Sequence, residues 1–209
     1  PVTRVPKFSG KGVAVPFRKE NDFFYEPISK SGWGYAFSKA VDEFLAIAYH
    51  QTQGLPAVVV RLFNTVGPGQ VGHYGMVVPR FIEQALAGGP ITLFGDGEQS
   101  RCFCHVHDIA PALADLVKTP AAWGQVVNLG STEEVSIRQL AERVQAKVNP
   151  ACEIRTIPYD QAYKPGFEDM RRRVPCLDRA ERLIGYRPRH SLDQTLDDMI
   201  AWQKMQRNS

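Results

Sequence analysis

Helical and extended patterns alternate along this chain, and that alternation restricts the fold more than any other feature. Over residues 35–52, Ala36, Ala40, Phe44, Ile47 and Ala48 recur three or four apart, the spacing of one apolar helix face. Gly54 and Pro56 stop that helix. Residues 57–62 (Ala-Val-Val-Val-Arg-Leu) then form a short β-branched run, as expected of a strand covered on both faces. A second helix is expected after Pro79, with Phe81, Ile82, Ala85 and Leu86 inward and a stop at Gly88-Gly89-Pro90. Residues 91–94 read as a strand, Gly95-Asp96-Gly97 as a turn, and residues 101–106 as another strand. Asp108 is placed to cap a helix carrying Ile109, Leu113, Leu116 and Val117. Ser136 with Gln139 and Ser191 with Gln194 form capping boxes that open two more helices. Between these lie a strand at residues 153–157 and an irregular segment over 160–175. Such alternation predicts an α/β architecture with a largely parallel sheet.

Parallel sheets that bind dinucleotides open with a strand, a glycine-rich turn and a helix whose amino end holds the pyrophosphate. No such turn is expected here. Ser9-Gly10-Lys11-Gly12 supplies glycines without a strand-to-helix frame, and the chain starts at Pro1, as expected of a piece of a longer or processed protein. With 44% hydrophobic and 22% charged residues, the 209 residues suit one soluble α/β domain or slightly more. A net charge of +3, evenly scattered, argues against nucleic acid as the main partner. Arg171-Arg172-Arg173 reads as a small anion site or a solvated surface. No apolar run approaches the roughly 20 residues of a membrane span, and residues 1–10 lack the apolar core of a signal peptide. Cys102, Cys104, Cys152 and Cys176 show no C-x-x-C spacing, so neither a zinc site nor a redox motif is expected. Buried reduced thiols in a cytoplasmic protein are the expectation.

Tyr35-Ala36-Phe37-Ser38-Lys39 is a Y-x-x-x-K at the start of the first helix. Residues four apart share a helix face. An ammonium beside a phenol favours phenolate, lowering a pKa that is ordinarily about 10. A phenolate so tuned can take a proton from an alcohol while a hydride leaves for a nicotinamide.

Three further segments accompany this pair in fixed order: Arg61-x-x-Asn64-x-x-Gly67-Pro68, Gly95-x-Gly97-x-x-x-Arg101 after Phe94, and His105-Val106-His107-Asp108. Together the four resemble the nucleotide-sugar epimerase/dehydratase branch of the extended short-chain dehydrogenase/reductases, from about Gly10 onward. The resemblance implies the carboxyl-terminal half of a Rossmann-type parallel sheet joined to a small mixed α/β substrate domain. Residues 1–70 would be the remaining Rossmann-type part, and 71–209 mainly the substrate domain, with some segments returning to the sheet.

The resemblance also implies roles. Tyr35 would be the acid/base; Lys39 would bind the nicotinamide ribose of NAD and tune Tyr35. Asn64 and Arg101 would hold the sugar or diphosphate of a UDP-sugar, a task suited to the planar, permanently charged arginine fork. Arg172 or Arg173 would add a second phosphate contact, and Phe94 would lie near the nucleobase. The Tyr35 helix, with Ala36, Ala40 and Phe44, would serve a homodimer or intramolecular packing equally. His105 and His107 are expected to be structural.

Departures from the family pattern qualify the activity. The family's Ser or Thr beside the catalytic Tyr falls at Val5, which has no hydroxyl, and the decarboxylases' Glu falls at Lys7. Gly69 stands where many relatives have Arg, and Cys176 where many have Asp. Epimerisation at the sugar C4 through a 4-keto intermediate is the first expectation. UDP-glucuronate decarboxylation and 4,6-dehydration follow. A non-catalytic fragment that binds a nucleotide-sugar or supplies a dimer surface is the reading from another class.

Overall fold

A computed structural model describes residues 33–72, 76–162 and 170–207, with side chains in the first helix described from Phe37 onward. That helix, α1 (Trp33–Gln53), spans the expected residues and is followed by β1 (Val59–Leu62). Next come β2 (Thr65–Val66), α2 (Val77–Leu86) and β3 (Ile91–Phe94). β4 (Ser100–Cys102), β5 (Cys104–His105) and α3 (Val106–Lys118) lead through a 3₁₀ turn at Pro120–Ala122 to β6 (Val126–Leu129). β7 (Glu134–Ser136), α4 (Ile137–Val148), β8 (Ile154–Ile157) and α5 (Tyr159–Ala162) follow. β9 (Arg172–Arg173), α6 (Asp178–Ile184) and α7 (Leu192–Arg207) complete the described chain.

Among the described residues, β1 pairs with β6, β2 with β5, β3 with β8 and β4 with β9, all parallel, while β4 and β7 run antiparallel. The architecture is α/β, as the alternation requires. Two apolar clusters hold it. Phe81, Ile82 and Ala85 of α2 interlock with Ile91 and Leu93 of β3, Leu140 and Val144 of α4, and Leu196 and Met199 of α7. Ile109, Ala112 and Leu116 of α3 pack with Val127 and Leu129 of β6 and Ala180 of α6. The spacing of these residues in their helices, three and four apart, is what lets each helix turn one stripe inward.

The Ser136 capping box forms in full: the Ser136 hydroxyl accepts the Gln139 amide at 3.1 Å, and Gln139 accepts the Ser136 amide at 3.0 Å. Ser191 and Gln194 exchange the same pair of bonds at 3.2 and 2.9 Å.

Four local expectations need correction. Residues 101–106 are not one strand: the chain breaks at Phe103 into β4 and β5, and Val106 already belongs to α3. Asp108 is not the α3 cap, because His105 holds that position, its ring accepting the His107 amide at 3.0 Å. Val117 lies on the outer side of α3, 70% exposed. β1 is half-buried rather than covered on both faces. Val58 and Val60 pack on the α3–α6 cluster, while Arg61 on the opposite face reaches α1 through a two-bond pair with Glu43 at 2.9 and 2.7 Å. In α1, Phe37, Val41, Phe44, Leu45 and Tyr49 are exposed, and none of its described side chains is buried.

Candidate active site

The chain after β1 is pulled across the top of β4. Asn64 takes a positive φ of 38°, a conformation that Asn tolerates better than most residues. The bend lets its side-chain amide donate to the Cys102 carbonyl at 2.9 Å, while its own carbonyl accepts the Cys104 amide at 3.1 Å. The carboxyl end of a parallel strand, where open α/β sheets bind ligands, is thereby tied to the strand bearing Arg101.

Strand register sorts the arginines. Arg101 of β4 is the cross-strand partner of Arg173 in β9, and Ser100 is the partner of Arg172. Side chains alternate faces along a strand, so Arg101 and Arg173 share one face and Arg172 occupies the other. There Arg172 makes two bonds to Glu134, at 2.8 and 2.6 Å, and Ser100 donates to the same carboxylate at 2.5 Å. These bonds, the Arg172 pair foremost, hold the Glu134 carboxyl below its ordinary pKa. Arg173 instead lies over the Phe63 ring, 4.8 Å from its centroid, beside Asn64. Arg101 donates to the Ser100 carbonyl at 2.7 Å.

Phe94 closes β3 just before the Gly95-Asp96-Gly97 turn, with the Arg80 guanidinium 4.5 Å from its ring centroid. Gly95 has φ 71°, and a Cβ there would lie 2.2 Å from the Tyr159 ring. Arg171 salt-bridges Asp96 at 2.5 Å, which lowers the Asp96 pKa. Tyr35 and Lys39 lie one turn apart on α1; Lys39 is exposed and pairs with Asp42 at 3.0 Å. Val5 and Lys7 lie outside the described residues.

The sequence model of the NAD dependent epimerase/dehydratase family matches residues 8–130. The chain belongs to that family. A UDP-N-acetyl-alpha-D-glucosaminuronate decarboxylase of Bacillus cytotoxicus is 35% identical over 92% of this chain and 60% of its own length. Among solved structures, a UDP-N-acetylglucosamine 4-epimerase of Methanobrevibacter ruminantium, in complex with UDP-N-acetylmuramic acid, aligns with TM-score 0.78 and 26% identity. The alignment covers 94% of this chain and 60% of that one. A UDP-glucuronic acid 4-epimerase of Bacillus cereus, in complex with UDP-glucuronic acid and NAD, aligns with TM-score 0.73 and 26% identity over 82% and 52%. This epimerase/dehydratase-family chain thus has a Rossmann-type α/β fold and spans between about half and 60% of these relatives' length.

The fit of this family member to NAD is partial. Lys39 offers an exposed ammonium one turn from Tyr35, suited to ribose hydroxyls. A pyrophosphate cradle is a different matter. Gly67-Pro68-Gly69-Gln70-Val71-Gly72 does carry the G-x-G-x-x-G spacing, contrary to the expectation of no such turn. However, α2 begins only at Val77, so no helix amino end sits on these glycines, and the Gln70 amide folds back on the Gly67 carbonyl at 3.2 Å. The motif's mechanical context is missing from this loop.

Sequence reasoning did not find Glu134 as the partner of Arg172 or Tyr159 as the side chain against Gly95. Both lie far along the chain from their partners. The only local signal was Gly95 itself, a residue kept where a ring leaves no room for a side chain.

Proposed function

We propose that this chain forms the nucleotide-sugar side of an NAD-dependent enzyme that oxidises a UDP-sugar at its C4 hydroxyl, and that the complete protein is a 4-epimerase. The observation that carries the reading is the Arg101–Arg173 pair on one sheet face beside Asn64. Its two planar forks suit the diphosphate, and the Asn64 loop suits the adjoining sugar. Arg172 serves a different purpose here, anchoring β7 to β9 through Glu134, so the substrate arginine of the two is Arg173. Phe94 borders the nucleobase end.

When bound, NAD supplies reversible two-electron chemistry at the carbinol carbon. Tyr35 takes the C4 hydroxyl proton, and Lys39 favours the phenolate by its charge and holds ribose hydroxyls. Return of that proton from Tyr35, once the sugar has turned over in the site, gives the C4 epimer. The exposed apolar stripe of α1 supports homodimerisation through that helix. Decarboxylation of a UDP-uronate is the second reading, favoured by the name of the Bacillus cytotoxicus relative. Lys7 at the decarboxylases' Glu position favours epimerisation.

Titration calorimetry with UDP-glucose and UDP-glucuronate tests the site. Arg101→Ala and Arg173→Ala are expected to weaken binding at least about tenfold each, from loss of a charge-assisted pair. Arg172→Ala should change it far less. Equal losses for all three would overturn the assignment. Product analysis with NAD supplied then separates the chemistries: a C4 epimer supports the first reading, and a pentose with CO₂ refutes it. Tyr35→Phe should slow turnover by about 10²-fold or more. UDP-sugar binding without any turnover would make the chain a binding fragment.

A further inference from the structure

Three imidazoles, those of His105, His107 and His190, gather where the start of α3 meets the segment ahead of α7. One ring nitrogen of each lies within 4.8 Å of the others, a spacing that invites a metal. Lone-pair accounting excludes that role for His105. Its Nδ1 already accepts the His107 amide at 3.0 Å, so the neutral ring carries its proton on Nε2 and has no second lone pair for an ion. Nε2 faces Asp198 Oδ2 at 3.4 Å.

The same accounting makes His105 sensitive to acid. A second proton can enter only at Nδ1, where the His107 amide already directs its hydrogen, so protonation sets two donors against each other and uncaps α3. His105 is fully buried, its ring stacked on His190 at 4.5 Å and close to His107 at 4.6 Å. The charged groups facing it are Asp198 from α7, His107 and Asp108 from α3, and His190 from the adjoining segment. Asp198 first, and Asp108 after it, favour the imidazolium. Asp108 is engaged by His190 Nδ1 at 2.8 Å and by the Arg189 and His190 amides at 3.0 and 3.1 Å.

We propose that His105 is an acid-sensitive latch: neutral, it caps α3; protonated, it releases that cap. Burial, and then the neighbouring His190 and His107, depress its proton affinity, in agreement with this geometry. The sign follows. A histidine whose folded pKa is depressed contributes stability that is present above the unfolded value of about 6.5 and lost as pH falls toward the folded value.

Equilibrium urea unfolding of the 209-residue chain between pH 8 and 5 tests the latch. Below about pH 6.5 the wild-type unfolding constant should rise toward tenfold per pH unit for the one excluded proton. His105→Asn keeps a capping acceptor but cannot titrate, and it should flatten that rise whatever its effect on absolute stability. An unchanged slope in this variant overturns the proposal. Should the variant not fold, nitrogen-detected NMR of the wild-type His105 ring decides. The ring should remain neutral and protonated on Nε2 well below pH 6.5, with the His107 amide signal moving only when it charges. Titration at or above 6.5 with that amide undisturbed refutes the latch.

Discussion

Replacing Asp108 by Ala should be among the most damaging single changes outside the apolar cores. Its carboxylate, 3% exposed, accepts three hydrogen bonds: Arg189 N at 3.0 Å, His190 N at 3.1 Å and His190 Nδ1 at 2.8 Å. Burial alone would raise its pKa, but the bonds from His190 and Arg189 outweigh burial and keep it ionised. The His190 ring, 32% exposed, can turn to water after truncation, whereas the two backbone amides lose a charged acceptor. Hydrogen bonds to a charged group contribute about 1.5–3 kcal/mol each, and a stranded buried donor costs about 1–3 kcal/mol. Counting the two amides only, the loss is about 3–6 kcal/mol, equivalent to a fall of roughly 10–20 °C in the unfolding midpoint for a chain of this size. Urea denaturation at pH 7.5 measures it. Asp108→Asn, which keeps one acceptor oxygen, should fall about midway. A loss below about 1 kcal/mol in the Ala variant would make Asp108 a solvated side chain rather than the tie between α3 and the α7 segment.

Other outcomes follow from single contacts. Gly95→Ala should cost about 2–3 kcal/mol, because its Cβ meets the Tyr159 ring at 2.2 Å and its φ is 71°. Gly97→Ala, whose nearest contact is 3.3 Å, should cost less in the same denaturation series. Glu134→Gln should lower stability at neutral pH by about 1 kcal/mol or less, given solvent screening at this half-exposed pair. Because the Glu134 pKa is depressed in the folded chain, its contribution is present above about pH 4.3 and vanishes as pH falls through the folded value. The two unfolding curves should therefore converge in acid; a difference that persists there would refute the Arg172 pairing as its cause. Cys102 and Cys104 should resist alkylation in the native chain, since burial pushes their thiols up to about 12 and about 11. Mass spectrometry should find both modified only after denaturation.

Much of this molecule was legible locally. Both capping boxes formed because Ser and Gln three residues apart satisfy helix-end amides without help from the rest of the chain. Helix α2 packs the four residues its spacing nominated, burying Phe81, Ile82 and Ala85 and half-burying Leu86, and the family motifs in order identified the family. Local reading failed where a neighbour far along the chain outcompeted the local signal. Asp108 has the side chain of a cap, yet the 189–190 segment claims its carboxylate and leaves the cap to His105. Arg171, Arg172 and Arg173 are chemically identical in sequence. Strand pairing separates the last two, setting Arg172 on Glu134 and carrying Arg173 to the face of Arg101, while Arg171, just ahead of β9, meets Asp96. The chain's local chemistry fixed most of the helices, the longer strands and the side chains able to bind an anion. The tertiary structure decided which of them face one another, because charge, hydrogen-bond capacity and burial are allotted by contacts between elements that no spacing along the chain encodes.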